Sequence, residues 1–140
     1  MIKRRPRRAA TVALAAFVFA AGFGCKDSGP KNYRVSGNVT YDNKPVKRGF
    51  ITFEPDFDKG NSGPGGGCEI HDGAYSTPPG KGIVGGPYKV KIIAFDGIAT
   101  TESGEDLVDG KPLFPPFHTT LEFAKQETTS NFDVPRTVVP

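Results

Sequence analysis

Apolar and polar residues alternate along much of the chain from residue 33 onward. Tyr33, Val35, Gly37, Val39 and Tyr41 fall on one face of an extended segment, and Arg34, Ser36, Asn38 and Thr40 on the other. A period of two predicts a strand covered on one side. Asp42-Asn43-Lys44-Pro45 carries turn chemistry, and Val46 with Gly49 to Glu54 gives a second strand that Pro55 ends. Cys68-Glu69-Ile70 and Ala74-Tyr75-Ser76 flank His71-Asp72-Gly73. The Asp-Gly pair predicts a tight hairpin, because a type I′ turn needs positive φ at both central residues. Tyr88 to Phe95 is the strongest strand: Tyr88, Val90, Ile92 and Ala94 face one way, Lys89 and Lys91 the other. Ile93 and Phe95 predict that its far end is covered on both sides. Thr119 to Phe123 and Thr129 to Val134 read as two late strands.

Between these lie turn-rich segments. Asp56 to Gly67 is a glycine-rich loop in which Gly63 to Gly67 reads as a flexible link, Pro78 to Pro87 is a second crossing, and Leu113 to Phe117 is an apolar run broken by prolines. Asp96 to Lys111 is a long polar loop with room for a short helical turn. No window past the first 24 residues has a helical period. Six or seven short strands separated by turns predict an all-β sandwich.

The N-terminus has a different pattern. Lys3, Arg4, Arg5, Arg7 and Arg8 form a basic head, and Ala9 to Phe23 is almost continuously apolar. This is the layout of an export signal, and the apolar run of about 15 residues is short of the ~20 that span a bilayer. Gly22-Phe23-Gly24-Cys25 resembles the lipobox of bacterial lipoproteins. In that family the Cys thiol receives fatty-acyl chains such as palmitate, the signal is cut just before it, and the Cys becomes residue one. Gly22 stands where the family carries Leu, Val or Ile. The plainer alternative is a secreted protein cut near Ala21 or Gly24, with Cys25 incidental. The expected organisation is a signal peptide over 1–24, a lipidated Cys25 with a tether over 25–32, one β-sandwich over 33–135 and a tail over 136–140.

Removing the signal changes the charge. The whole chain has 18 Lys and Arg against 15 Asp and Glu, and five of the basic residues lie in the head, leaving 13 against 15. A mature chain near −2 carries no basic footprint for nucleic acid. Eleven Phe and four Tyr supply a core without Trp. With Cys25 committed to lipid, Cys68 has no partner in the chain, so a disulfide framework is excluded. It reads as a small strand hydrophobe, with pairing between chains as the alternative.

V-S-G-N-V-T-Y-D-N-K-P-V, then G-F-I-T-F-E-P, D-G-A-Y-S and G-P-Y-K-V-K-I, together resemble the transthyretin-like, or carboxypeptidase regulatory-like, β-sandwich domain. Gly37, Val39, Pro45 and Val46 match its first motif, with Asn43 where Gly is usual; Asp72, Gly73 and Tyr75 match the second, and Gly86, Tyr88 and Val90 the third. The resemblance implies a single Ig-like or prealbumin-like Greek-key sandwich of about seven strands, preceded by the signal-peptide helix. Many bacterial lipoproteins carry one such domain behind the lipobox. The implied role is non-enzymatic: a binding or structural module on the membrane, with a protein or polysaccharide partner in the envelope and no cofactor.

Rival chemistries leave traces. Asp56, Asp58 and Asn61 have the alternating oxygen spacing of a calcium loop but lack its later bidentate Glu. Glu102, Glu105, Asp106 and Asp109 form an acidic run, read as a solvated loop. Phe57, Phe114 and Phe117 sit in loop contexts and are the residues of a possible carbohydrate platform. One branch of the resembled family, the hydroxyisourate hydrolases, is enzymatic. Its C-terminal Tyr-Arg-Gly-Ser tail is missing here, and that chemistry would need His71 and His118 to converge with an Arg.

Overall fold

The computed structural model describes residues 29–136. The expected signal peptide over 1–24, Cys25 with the first residues of the expected tether, and the last four residues of the tail lie outside the described residues. The strands are β1 (Val35–Tyr41), β2 (Lys44–Pro45), β3 (Arg48–Pro55), β4 (Gly66–His71), β5 (Ala74–Ser76) and β6 (Gly86–Phe95). They continue as β7 (Thr100–Glu102), β8 (Glu105–Leu107), β9 (Phe117–Phe123), β10 (Thr128–Thr129) and β11 (Phe132–Val134). Nine of them form one sheet along the path β10-β1-β5-β4-β3-β6-β9, with β2 and β11 also paired to β1, and β7 and β8 form a separate ribbon.

All neighbours on this path are antiparallel except β1 with β10; β1 with β11 is parallel too. The sheet curls so that one face closes on itself. That face carries Val35, Val39, Ile51, Phe53, Ile70, Tyr75, Tyr88, Val90 and Ile92, all buried. The alternation seen in the sequence is the physical cause, since residues two apart share a face and the curl buries that face. Phe53 sits centrally, edge-on to Phe123 at 5.7 Å between ring centroids and tilted against Tyr75 at 6.2 Å. It thereby joins β3, β5 and β9.

Several elements differ from the sequence expectation. The described residues are all-β, with eleven strands in place of about seven: the long ones are mostly longer than expected, and β2, β5, β7, β8, β10 and β11 are only two or three residues each. The Asp96 to Lys111 stretch holds the β7–β8 ribbon and no helical turn; Ser103 and Gly104 take positive φ of 52° and 84°, suiting a tight hairpin. Asp72 and Gly73 (φ 46° and 85°) turn β4 into β5 as expected. Gly66 and Gly67 belong to β4 and are not a flexible link. A Cβ there would lie 2.7 Å from the carbonyl oxygens of Lys81 and Ile51 respectively, so these glycines permit close packing of backbone on backbone. Two buried tyrosines bond backbone through their hydroxyls: Tyr75 donates to the Ser130 carbonyl at 2.6 Å, and Tyr88 donates to Pro64 O at 3.1 Å.

Tyr75 makes the fold sensitive to alkali. Burial first, and the nearby Cys68 second, push its phenol well above the ordinary value near 10. The raised folded value means the folded state holds a proton that the unfolded chain releases. This stabilisation is complete below pH ~10 and is lost as pH climbs from there towards the folded value, at ~1.4 kcal/mol per pH unit for one group. Urea midpoints taken at pH 8 and pH 11 should fall more steeply for the native chain than for Tyr75→Phe. Equal slopes in the two proteins would remove Tyr75 as the cause.

Candidate functional site

Two loops meet where the chain enters the domain. One follows β3: a single 3-10 turn, Phe57–Lys59, closes on Gly60 at φ 82°. The other precedes β6, with Gly85 and Gly86 at φ 88° and 93°. Asn61 staples them. Its amide donates to Pro87 O at 2.8 Å, and its Oδ1 accepts from Gly63 N at 3.0 Å. The Tyr88 hydroxyl adds a second link, accepting from Val84 N at 3.3 Å. Tyr33 is tied to Ile83 by backbone bonds of 2.6 and 3.0 Å.

These links leave a groove of about 580 Å³ between the loops, lined among others by Gly63, Val84, Gly85, Tyr33, Lys31 and Lys125. The Lys31 ammonium lies 5.4 Å from the Tyr33 ring centroid. Among the described residues lining it, Lys31 and Lys125 supply charge and no carboxylate does. The groove therefore suits a neutral or anionic ligand. The sequence reading did not single out these lysines, because they lie 94 positions apart and carry no motif. Asn61→Ala should lower stability by ~1–3 kcal/mol, since it strands the Gly63 amide and removes one of the two donors to the Pro87 carbonyl, the other being the Asp56 amide. Urea denaturation checks this, and a change under 0.5 kcal/mol would show that the loops hold without the staple.

Of the residues with calcium-loop spacing, Asn61 lines this groove, and Asp56 and Asp58 lie beside it, facing lysines. Asp56 is 2 % exposed, with Oδ1 3.5 Å from Lys89 Nζ and Oδ2 3.8 Å from Lys59 Nζ. Oδ1 has no hydrogen bond, so Lys89 acts on it as a counter-charge only. Asp58 accepts from Lys89 at 2.9 Å. That bond and the charge behind it hold the Asp58 carboxyl below, and the Lys89 ammonium above, their ordinary values. Asn61 spends its side chain on backbone. Among the described residues no group of three His, Cys, Asp or Glu is placed to hold a metal ion. Asp106 of the acidic run accepts from Thr101, and Glu102 pairs with Lys111.

The three phenylalanines are not brought together. Phe57 is 69 % exposed beside Asp56, whose amide bonds Pro87 O at the start of β6. Phe117 pairs with Ile92, five residues further along that strand. That separation is ~16 Å. Phe114 is 8 % exposed and packs its ring 4.8 Å from Tyr41. The two histidines are also apart. His71 on β4 lies opposite Arg48 on β3, while His118 on β9 lies opposite Lys91 on β6. Three strand spacings and four residues of rise put them roughly 20 Å apart along the sheet. His71 contacts Arg48 Nη1 through Nδ1 and lies 2.7 Å from Glu69 through Nε2, on the exposed face. Cys68 is half-buried and has no disulfide partner among the described residues; burial raises its thiol above the ordinary value.

No family model, no curated protein and no solved structure matches this chain.

Proposed function

We propose that the chain is a lipid-anchored protein of the bacterial envelope, a non-enzymatic binding module of transthyretin-like type held at a membrane surface. The observation that carries this is the placement of Cys25. It ends a basic head and an apolar run, and the first pairing of the domain, Tyr33 with Ile83, comes eight residues later. One acyl chain gives only marginal binding, and the two or three of the lipoprotein family give stable anchoring.

The sandwich reading rests on residue pattern. Gly37, Asp72-Gly73-Tyr75 and Gly86-Tyr88-Val90 occupy strands or turns in the order of the family motifs. The groove beside Tyr33 supports a binding role. Lys31 comes six positions after Cys25, a reach of at most ~20 Å, so an anchored chain keeps the groove close to the bilayer. An anionic or uncharged envelope polymer fits its lysine-flanked, carboxylate-free lining.

The test is the intact mass of the protein from membranes, beside Cys25→Ser. The expected result is a mature chain starting at Cys25 and carrying acyl groups, with the variant released or unprocessed. An unmodified Cys25, or cleavage beyond it, would overturn the anchor and leave a secreted module.

A further inference from the structure

At the end of the sheet where the chain enters, β1 and β6 begin and β3 and β9 finish. The groove lies at this end. Lys31 and Lys125 on its lining are exposed, and neither takes part in an ion pair among the described residues. The carboxylates nearby face elsewhere. Asp56 lies against Lys59 and Lys89, and Asp58 bonds Lys89. Glu54 and Glu122 stand on the outer face of the sheet, since Phe53 and Phe123 beside them take the core face. Glu127 lines a neighbouring cleft with Arg34. Phe57 rises next to the groove, because Gly60 and Asn61, which follow its turn, line that groove. It is 69 % exposed although both its neighbours are pinned, Asp56 by its amide to Pro87 O and Asp58 by Lys89. A rigid turn therefore holds an apolar ring out into solvent beside two lysines that no carboxylate neutralises. An apolar wedge next to cations is the make-up of an interfacial membrane contact.

We propose that this end of the domain docks on an anionic phospholipid surface, with Phe57 entering the headgroup layer and the groove taking a headgroup phosphate between Lys31 and Lys125. The inference rests on the anchored reading above and names the ligand of its groove. The short span from Cys25 to Lys31 brings this end, and no other, against the bilayer. Tyr33, half-buried with the Lys31 ammonium 5.4 Å from its ring centroid, then sits at the same level, where tyrosine is favoured. The acyl chains supply the affinity, and the docking sets which way the domain stands. Each lysine is worth about fivefold against an anionic leaflet, and one inserted ring about tenfold. Seated this way, the β7–β8 ribbon, which follows the far end of β6, points away from the membrane.

The chain has no Trp, so Phe57→Trp installs a single fluorescent reporter at the docking tip. The full chain purified from membranes is reconstituted into vesicles of brominated phosphatidylcholine, with or without phosphatidylglycerol, and the bromines quench an indole that reaches the lipid. In the anionic vesicles Phe57→Trp should be quenched about threefold or more strongly than Ile98→Trp, because only the docked end enters the headgroup layer. Ile98 is a fair control, being 68 % exposed and just past the far end of β6. Adding Lys31→Glu and Lys125→Glu to Phe57→Trp should lower its quenching to the level in neutral vesicles. Adding Lys31→Arg and Lys125→Arg should preserve it, a contrast that damage to the fold would not give. The intact mass of the same sample reads the anchor separately. Equal quenching of Phe57→Trp and Ile98→Trp in an acylated chain would overturn the docking and leave the anchor standing, the result expected if the groove held a polymer instead. Quenching untouched by the two glutamates would equally overturn it. A chain without acyl groups would overturn the anchor, and this orientation with it.

Discussion

Gly37→Ala is expected to destabilise the domain by ~3 kcal/mol or more, a large share of the 5–15 kcal/mol typical of a single domain. A Cβ on Gly37 would overlap the Ser130 carbonyl oxygen. Relief would require Ser130 to move, and it is held twice: its amide donates to Ser36 O at 2.8 Å and its carbonyl accepts the Tyr75 hydroxyl at 2.6 Å. The obstruction is backbone, with no flexible side-chain end to swing aside. Urea denaturation of Gly37→Ala beside Gly29→Ala, whose Cβ would meet nothing within 4 Å, isolates the effect. A midpoint for Gly37→Ala within experimental error of the control would show that the link between β10 and β11 yields freely.

Phe53→Ala should remove ~3–5 kcal/mol, the range for a buried aromatic truncated to a cavity. Phe53 is fully buried and its ring touches the rings of Tyr75 and Phe123. The Phe123 ring in turn lies edge-on to Tyr88 at 5.9 Å. The cavity would open where the curl brings β5 and β9 against β3, so the loss should also reduce the cooperativity of unfolding. Phe53→Leu keeps most of the volume and should retain more than half of the lost stability. If Phe53→Ala unfolds at the native midpoint, the closure of the sheet rests on other contacts.

Much of the strand pattern was legible because it is local. Val35, Val39, Ile51, Val90 and Ile92 announce their face by a period of two, and Asp72-Gly73 announces its turn by the φ values that only such residues accept readily. The tight packing at Gly37 was legible too, since a glycine inside a strand signals backbone approach. The β7–β8 ribbon escaped because its strands are three residues long and polar, too short for a period to show. Gly66 and Gly67 misled for a related reason. Glycine serves equally for flexibility and for close approach, and only the neighbours Ile51 and Lys81 decide between them.

The candidate site followed the same division. Asp56, Asp58 and Asn61 were visible as oxygen donors at calcium-loop spacing, but what those oxygens face depends on Lys89, 31 positions after Asp58, and on Pro87. Phe57, Phe114 and Phe117 looked alike as loop aromatics, yet one is exposed and one is core. The groove between Lys31 and Lys125 had no signature at all.

The sequence by itself determined the all-β class, the core faces of β1 and β6 and the hairpin at Asp72-Gly73, because these depend on alternation and on backbone preferences a few residues wide. Tertiary structure alone decided that nine strands join in one curled sheet, that β9 is its open edge, that His71 and His118 are separated, and that two distant loops enclose a groove. Those outcomes come from pairings between residues far apart in the chain, where closure of the core selects the register and no local preference can.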